Sequence, residues 1–210
     1  MLDASTIRLF SGFLVAAVFG TIALSLRRRS RGSRPLDFRA EDSPPSALQI
    51  LWGLSFLVPT FIYPLAVVLA PSLTYGTALN FAFPFDAPFQ LLGLALSAVG
   101  GGLILWSERT LGRFMVIRIG VARDHELITA GPYARVRHPT YAGVQLAVIG
   151  LTLAFLSEVL LAFAILAVIL ANYRAQREEG LLASPVGFGE RYRQYMARTG
   201  RFLPRLLSRP

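Results

Sequence analysis

Residues 141–172 read YAGVQLAVIGLTLAFLSEVLLAFAILAVILAN, an apolar stretch in which Glu158 is the single charge. It divides there into two runs, Tyr141–Ser157 and Val159–Asn172. Each is at or below the roughly 17 residues that an upright crossing of a bilayer needs. The pair reads as a tight helical hairpin, tilted or entering only part of the membrane. Gly143, Ala147 and Gly150 recur at three or four residues and so share one helix face, where small side chains are expected to pack the hairpin.

Upstream stand three longer apolar runs, about Ile7–Leu26, Ala47–Ala70 and Ala87–Ser107. Each is long enough to cross a hydrocarbon core of about 30 Å. With 54% hydrophobic and 16% charged residues, the chain is too apolar for an ordinary soluble domain. The expected fold is all-α: a polytopic membrane protein of about five transmembrane helices with a C-terminal helical hairpin and a polar tail. Met1–Leu26 also has the length of a secretory signal. Such a signal carries its positive charge before the apolar stretch, whereas Arg27, Arg28 and Arg29 follow it, so the run reads as an anchor. Gly93, Gly100, Gly101 and Gly102 in the third span neither follow a strand nor keep the G-x-G-x-x-G spacing of a nucleotide loop, and read as a helix-packing surface.

A net charge of +9 would suggest nucleic acid in a soluble protein, but here the placement of charge matters more than its sum. All the basic residues are arginine. The N-terminal tip has Arg8 alone; Arg27, Arg28, Arg29, Arg31, Arg34 and Arg39 lie in the first connection, and residues 71–86 hold none. The third connection holds Arg109, Arg113, Arg118, Arg123, Arg135 and Arg137, the hairpin turn holds none, and the tail holds the rest. Since cytoplasmic segments carry the arginine excess, the N-terminus is expected outside and the C-terminus in the cytoplasm. The polar stretch Arg31–Pro45, rich in Pro and Ser, reads as a flexible loop and a positive-inside determinant. No nucleic-acid partner is expected. Cysteine is absent and the two histidines, His125 and His138, stand in no H-E-x-x-H arrangement, so a protein metal site is not expected.

The chemistry is concentrated between Leu111 and Pro204. Gly131-Pro132 signals a turn and Pro139 has the fixed φ suited to a helix's first turn. Arg137, His138 and Tyr141 therefore gather at the start of the fourth span, where free backbone N–H groups beside an arginine make an anion site for a carboxylate or phosphate. Arg174 and Glu178, four residues apart, share one face if the fifth helix continues. From spacing alone they could be an interfacial salt bridge. Tyr133 and Tyr141 could be headgroup-level anchors and His138 a helix cap. The hairpin, however, returns the second cluster to the level of the first.

The elements in order are His125-Glu126-Leu127-Ile128, Gly131-Pro132-Tyr133, Arg137-His138-Pro139-Thr140-Tyr141-Ala142-Gly143, the apolar hairpin, Arg174 with Glu178-Glu179-Gly180-Leu181-Leu182, Phe188-Gly189-Glu190-Arg191-Tyr192-Arg193-Gln194-Tyr195, and Phe202-Leu203-Pro204. This order resembles the isoprenylcysteine carboxyl methyltransferase family and its phospholipid methyltransferase relatives, over about the last 90 residues. The resemblance implies an integral membrane methyltransferase that binds S-adenosylmethionine at the cytoplasmic surface and receives a lipophilic or amphipathic small acceptor from the bilayer, with O-methylation favoured. Carried over residue by residue, it implies that Arg118, His125, Glu126, Leu127, Ile128, Tyr133, His138, Pro139, Thr140, Tyr141 and Glu178 bind the cofactor. Arg174 would face the acceptor, making Arg174 and Glu178 the catalytic pair. Residues 1–107 would be three transmembrane helices with a basic loop at 27–46. Residues 108–210 would be the catalytic region, made of a cytoplasmic segment 108–140, the hairpin 141–172 and the tail 173–210.

Ala183-Ser184-Pro185-Val186-Gly187 is about two residues longer than the family's usual spacing, and Pro185 and Gly187 are expected to break the helix there. Beyond them an amphipathic surface helix is expected, with a lid role over the cofactor left open. The methyl acceptor and the oligomeric state are also open. Two other functions remain at this point: a membrane NADPH-dependent reductase of the sterol-reductase type, and a non-catalytic lipid-binding scaffold.

Overall fold

The computed structural model describes residues 2–30, 37–116 and 118–205. Every apolar run is helical. Helix α1 spans Ala4–Ser30; α2 (Ser46–Leu57), a π-helical turn (Val58–Ile62) and α3 (Tyr63–Leu69) form one continuous rod. The short α4 (Pro71–Thr74) turns the chain into α5 (Asp86–Leu111), and α6 (Pro139–Phe155), α7 (Glu158–Ala183) and α8 (Glu190–Arg198) complete the helices. Pro59 and Pro64 lack the N–H groups a regular helix needs, and the π-helical turn absorbs them inside the rod.

Ser46–Leu69, Asp86–Phe114 and Glu158–Ala183 are long and apolar enough to cross a membrane; Ala4–Gly20 and Pro139–Phe155 are shorter apolar helices. Leu9, Phe13, Val99, Ile165 and Ile169 are each more than half exposed on the outer surface of these helices. Apolar side chains in that number, on helices whose backbone groups satisfy one another, suit hydrocarbon rather than water. The protein is a predominantly helical integral membrane protein. Inside the bundle Ile7 of α1 is buried with Val67, Leu151, Phe155 and Leu160, so the first helix packs on the rod and on both limbs of the hairpin.

The hairpin turn is built by Leu156, a non-glycine residue in the left-handed region (φ 49°), and by Ser157, whose hydroxyl accepts the Leu160 N–H. The segment between α4 and α5 latches it. Asn80 donates to the Phe155 carbonyl at 3.0 Å and Phe81 N–H to the Leu156 carbonyl at 2.7 Å.

Three expectations are corrected. The second hairpin limb does not stop at Asn172: α7 runs on to Ala183, because Arg174–Leu182 is composed mostly of strong helix formers, and it breaks at Ser184-Pro185. The chain is not wholly helical. Phe38–Asp42 (β1) pairs antiparallel with Ile119–Ala122 (β2), with Glu41 opposite Gly120 and Asp42 opposite Ile119. The strand lies in the stretch read as a flexible loop; the Phe38 ring covers Gly120, where a Cβ would lie 2.7 Å from it. Arg31 and Arg34 lie outside the described residues, as do the side chains of Arg27, Arg28 and Arg29.

The third correction concerns the small-residue face of α6, which packs on α5 and not across the hairpin. A Cβ on Gly100 would lie 2.5 Å from Ala147 N and 2.7 Å from Gly143 O, and one on Gly150 would lie 2.6 Å from Gly93 O. Gly93 and Gly100 thus let the two backbones touch, whereas Gly101 and Gly102 face open space. Gly100→Leu is therefore expected to lower the thermal midpoint in detergent, by an overpacking cost of about 1–3 kcal/mol or more. Gly101→Leu is expected to leave it unchanged; a thermal melt of the two variants side by side checks this.

Candidate functional site

The start of α6 is set by local chemistry. Gly131 takes φ 57° and opens a single turn of 3₁₀ helix, Gly131–Ala134, which turns the chain under the end of α5. Pro139 occupies the first turn of α6, fully buried, with His138 immediately before it. Tyr133 is buried, and its hydroxyl lies 3.3 Å from Thr140 Oγ1. Burial raises the Tyr133 phenol well above its ordinary pKa, so it stays protonated and can donate.

Adjacent glutamates on α7 do different work, because neighbouring helix positions point about 100° apart. Glu179 is 4% exposed and turned inward. It accepts from Arg137 Nε at 2.8 Å, from His138 Nε2 at 3.2 Å and from Arg201 Nη2 at 2.6 Å. One carboxylate therefore ties α7 to the start of α6 and to the chain beyond α8. Arg137 also donates to the Met196 and Thr199 carbonyls, and its N–H donates to the Gly200 carbonyl at 2.9 Å. Glu178 is one-third exposed and accepts from Tyr141 Oη at 3.0 Å. The His138 ring lies parallel to Tyr141, centroids 5.4 Å apart, with Nδ1 3.8 Å from Glu178.

The tail closes over these groups. After α7, Phe188 N–H bonds to the Leu182 carbonyl at 2.7 Å, and Gly189 takes φ 55° before α8. Tyr192 of α8 is buried, and Tyr195 donates to the Tyr133 carbonyl at 2.6 Å. Phe188, Tyr192 and Tyr195 form one wall of a cavity. The opposite wall is the connection from α5, where Phe114 stacks on the His125 ring at 4.6 Å. Burial lowers the His125 pKa, favouring the neutral ring among these aromatics.

Arg118, His125, Glu126, Leu127, Ile128, Tyr133, His138, Thr140, Tyr141 and Glu178 all line this cavity. Pro139 does not; it is packed inside. Arg174 does not line it either. Buried one turn below Glu178, its guanidinium lies 5.4 Å from the Trp52 ring centroid. It belongs to a second cleft, shared with Glu41, Asp42 and Arg118. Arg118 is exposed and paired with Glu41 at 3.6 Å, and it lines both cavities. Sequence reasoning did not assign Phe114, Met115 or Leu182 to the wall; the first two lie in a connection with no pattern to mark them, and Leu182 follows Glu178 at helical spacing.

The model of the isoprenylcysteine carboxyl methyltransferase (ICMT) family matches residues 93–184. Over these residues the chain is similar to that family. The matched span runs from the glycine seam of α5 through the cavity wall and hairpin to the end of α7; the ICMT match stops short of Phe188, Tyr192 and Tyr195. A solved structure, that of a eukaryotic intramembrane Ras methyltransferase ICMT, superposes with a TM-score of 0.51 and 22% sequence identity, covering 76% of this chain and 51% of that one. The chain thus spans about half the length of the ICMT structure it matches, and at this identity the likeness is one of fold. No curated protein matches the chain.

The two glutamates should separate on mutation. Glu179→Ala leaves Arg137 buried without its carboxylate, a loss expected to cost about 3–5 kcal/mol, and it unfastens the tail. Limited trypsin digestion should then cut at Arg191, Arg193 or Arg198 faster than in the parent protein. Glu178→Ala should leave both melting temperature and digestion rate close to those of the parent.

Proposed function

We propose that the chain is an integral membrane methyltransferase that uses S-adenosylmethionine and modifies a lipophilic or amphipathic small acceptor taken from the bilayer. The observation that carries the reading is that the family-matched segment and the tail enclose one cavity. Its wall gathers a carboxylate, phenolic and imidazole groups and aromatic faces. S-adenosylmethionine is a zwitterion with a cationic sulfonium and an adenine, and needs that combination of acceptor, donors and apolar wall. Glu178 would hold the cationic amino end; Arg118 and the Tyr133 hydroxyl would serve the carboxylate. Leu127, Ile128, His125 and Phe188 would enclose the adenine, with Glu126 at its polar edge. When bound, the cofactor supplies an electrophilic methyl group.

The remaining work falls to the chain's own residues. His138 and Thr140 brace Tyr141 and Tyr133, and Tyr141 keeps the Glu178 carboxylate in place through its 3.0 Å hydrogen bond. Arg174, buried beneath them, would orient the acceptor's nucleophilic oxygen. Holding nucleophile and methyl group in line is where most of the acceleration would arise. An acceptor carboxylate is ionised at neutral pH and needs no general base. Closure by Phe188, Tyr192 and Tyr195 would exclude water. In this reading the cavity end faces the cytoplasm, because the connections that build it carry the arginine excess.

Calorimetry on the detergent-purified protein tests the cofactor. Saturable binding of S-adenosylmethionine is expected, with none of NADPH and with affinity lost in Glu178→Ala; NADPH binding alone, or an unaltered variant, would refute the assignment. Topology is tested separately by a reporter fused to the C-terminus, which is expected to be active only in the cytoplasm.

A further inference from the structure

Arg191, Gln194 and Arg198 of α8 share one helix face, at spacings of three and four. That face lines a groove outside the cavity, closed on its other side by Leu127, Thr129 and Ala134 of the connection from α5. Tyr195 stands between groove and cavity and lines both. Among the described residues no carboxylate lines the groove.

The arginines around it are unevenly engaged. Arg137 and Arg201 are held by Glu179, and Arg193 donates to Glu190 and to the Ala183 carbonyl, both at 2.8 Å. Arg191 and Arg198 are exposed and make no hydrogen bond or ion pair among the described residues. By helix rise they lie about 10 Å apart along α8, a distance that two arginine side chains can close on one anion held between them above Gln194. Without an anion, two like charges face the same groove uncompensated.

The groove lies at the level of the membrane surface. Trp106, near the end of the membrane-crossing helix α5, is more than half exposed, as tryptophan at headgroup level commonly is. Its indole nitrogen is 3.3 Å from where a Cβ on Gly131 would stand, and Gly131 opens the turn that carries Ala134 into the groove. At the other end Thr199 lines the groove, and the next residue, Gly200, accepts from the Arg137 N–H just before Pro139 begins α6.

We propose that this groove holds the phosphate of an anionic phospholipid from the leaflet at that end of the molecule, as a resident ligand and not as a methyl acceptor. Arg191 and Arg198 take the phosphate oxygens in charge-assisted bonds, and the Thr129 hydroxyl and Gln194 amide donate beside them. Leu127 and Ala134 give the glycerol backbone an apolar contact. A zwitterionic head is disfavoured, because the groove has no carboxylate to receive its ammonium group. Since the Tyr195 hydroxyl donates to the Tyr133 carbonyl, an occupied groove also holds that wall of the cavity in place. The lipid preference does not depend on what the cavity binds.

The test titrates the full chain in neutral detergent, by calorimetry, with dioctanoyl phosphatidylglycerol, dioctanoyl phosphatidylcholine and glycerophosphoglycerol, the anionic head group without its chains. Phosphatidylglycerol is expected to bind about tenfold more tightly than either other. The double substitution Arg191→Gln, Arg198→Gln removes two exposed, unpaired cations; it should keep the parent's melting temperature and bring phosphatidylglycerol down to the level of phosphatidylcholine. Arg193→Gln, which alters an arginine outside the groove, should leave the preference as it is. In the parent protein, raising salt from about 0.1 to about 0.5 M should shrink the preference by screening. Hydrogen exchange in residues 190–199 should slow with phosphatidylglycerol in the parent and not in the double variant. Equal binding of the two lipids, a preference that survives the double substitution or the added salt, or no slowing of exchange in α8 would overturn the proposal. Glycerophosphoglycerol binding as tightly as the lipid would overturn the lipid as the source of the phosphate. None of these arms contains S-adenosylmethionine, so failure here and failure of the methyltransferase reading are told apart.

Discussion

Glu179 brings three cationic or hydrogen-bonding partners from distant parts of the chain to one buried carboxylate. Arg137 and His138 come from the start of α6, Arg201 from beyond α8, and the carboxylate itself from the middle of α7. A buried ion pair gains little net stability over an apolar contact, but its geometry is demanding and breaking it is costly. That asymmetry suits a position where register matters more than energy. With Glu179 satisfied, helix periodicity turns Glu178 toward the cavity, where it meets Tyr141. The same contacts draw the tail back so that Phe188, Tyr192 and Tyr195 close the cavity's open side.

The membrane part supplies a frame for this arrangement. Gly93 and Gly100 bring α5 against α6 at backbone contact, which fixes the connection carrying Phe114 and His125 relative to the start of α6. At the far end Gln90, fully buried, donates to Tyr75 and to the Ala154 carbonyl at 2.8 Å and anchors α5 to the hairpin turn. The two-stranded ribbon then links the first connection to the third, so that Glu41 and Asp42 stand beside Arg118 and Arg174. The cavity beneath α8 and the second cleft are thus neighbours, with Arg118 lining both.

What could be read from the sequence was mostly local. Apolar run length located the helices, and Gly131-Pro132 and Pro139 located the turn and the start of α6. The break at Ser184-Pro185 followed from proline's missing donor. The spaced motifs named nine residues, from His125 to Glu178, that the structure gathers around one cavity. What escaped was set by partners far along the chain. The small-residue face of α6 was visible, but its partner was α5 rather than α7, and spacing cannot name a partner. Strand β1 forms because β2 lies some 80 residues away to receive it. Arg174, expected to face the acceptor, is buried with its guanidinium over Trp52, a partner on α2 that spacing along α7 could not name.

The account's central claim is that the enclosed cavity beneath α8 takes S-adenosylmethionine. Hydrogen–deuterium exchange of the purified protein, with and without the cofactor, tests that location most directly. The account predicts slowed exchange in residues 125–141 and 178–195 on addition of S-adenosylmethionine, with residues 86–111 of α5 unchanged. Binding without protection in those two segments, or protection centred on residues 38–53, would contradict it.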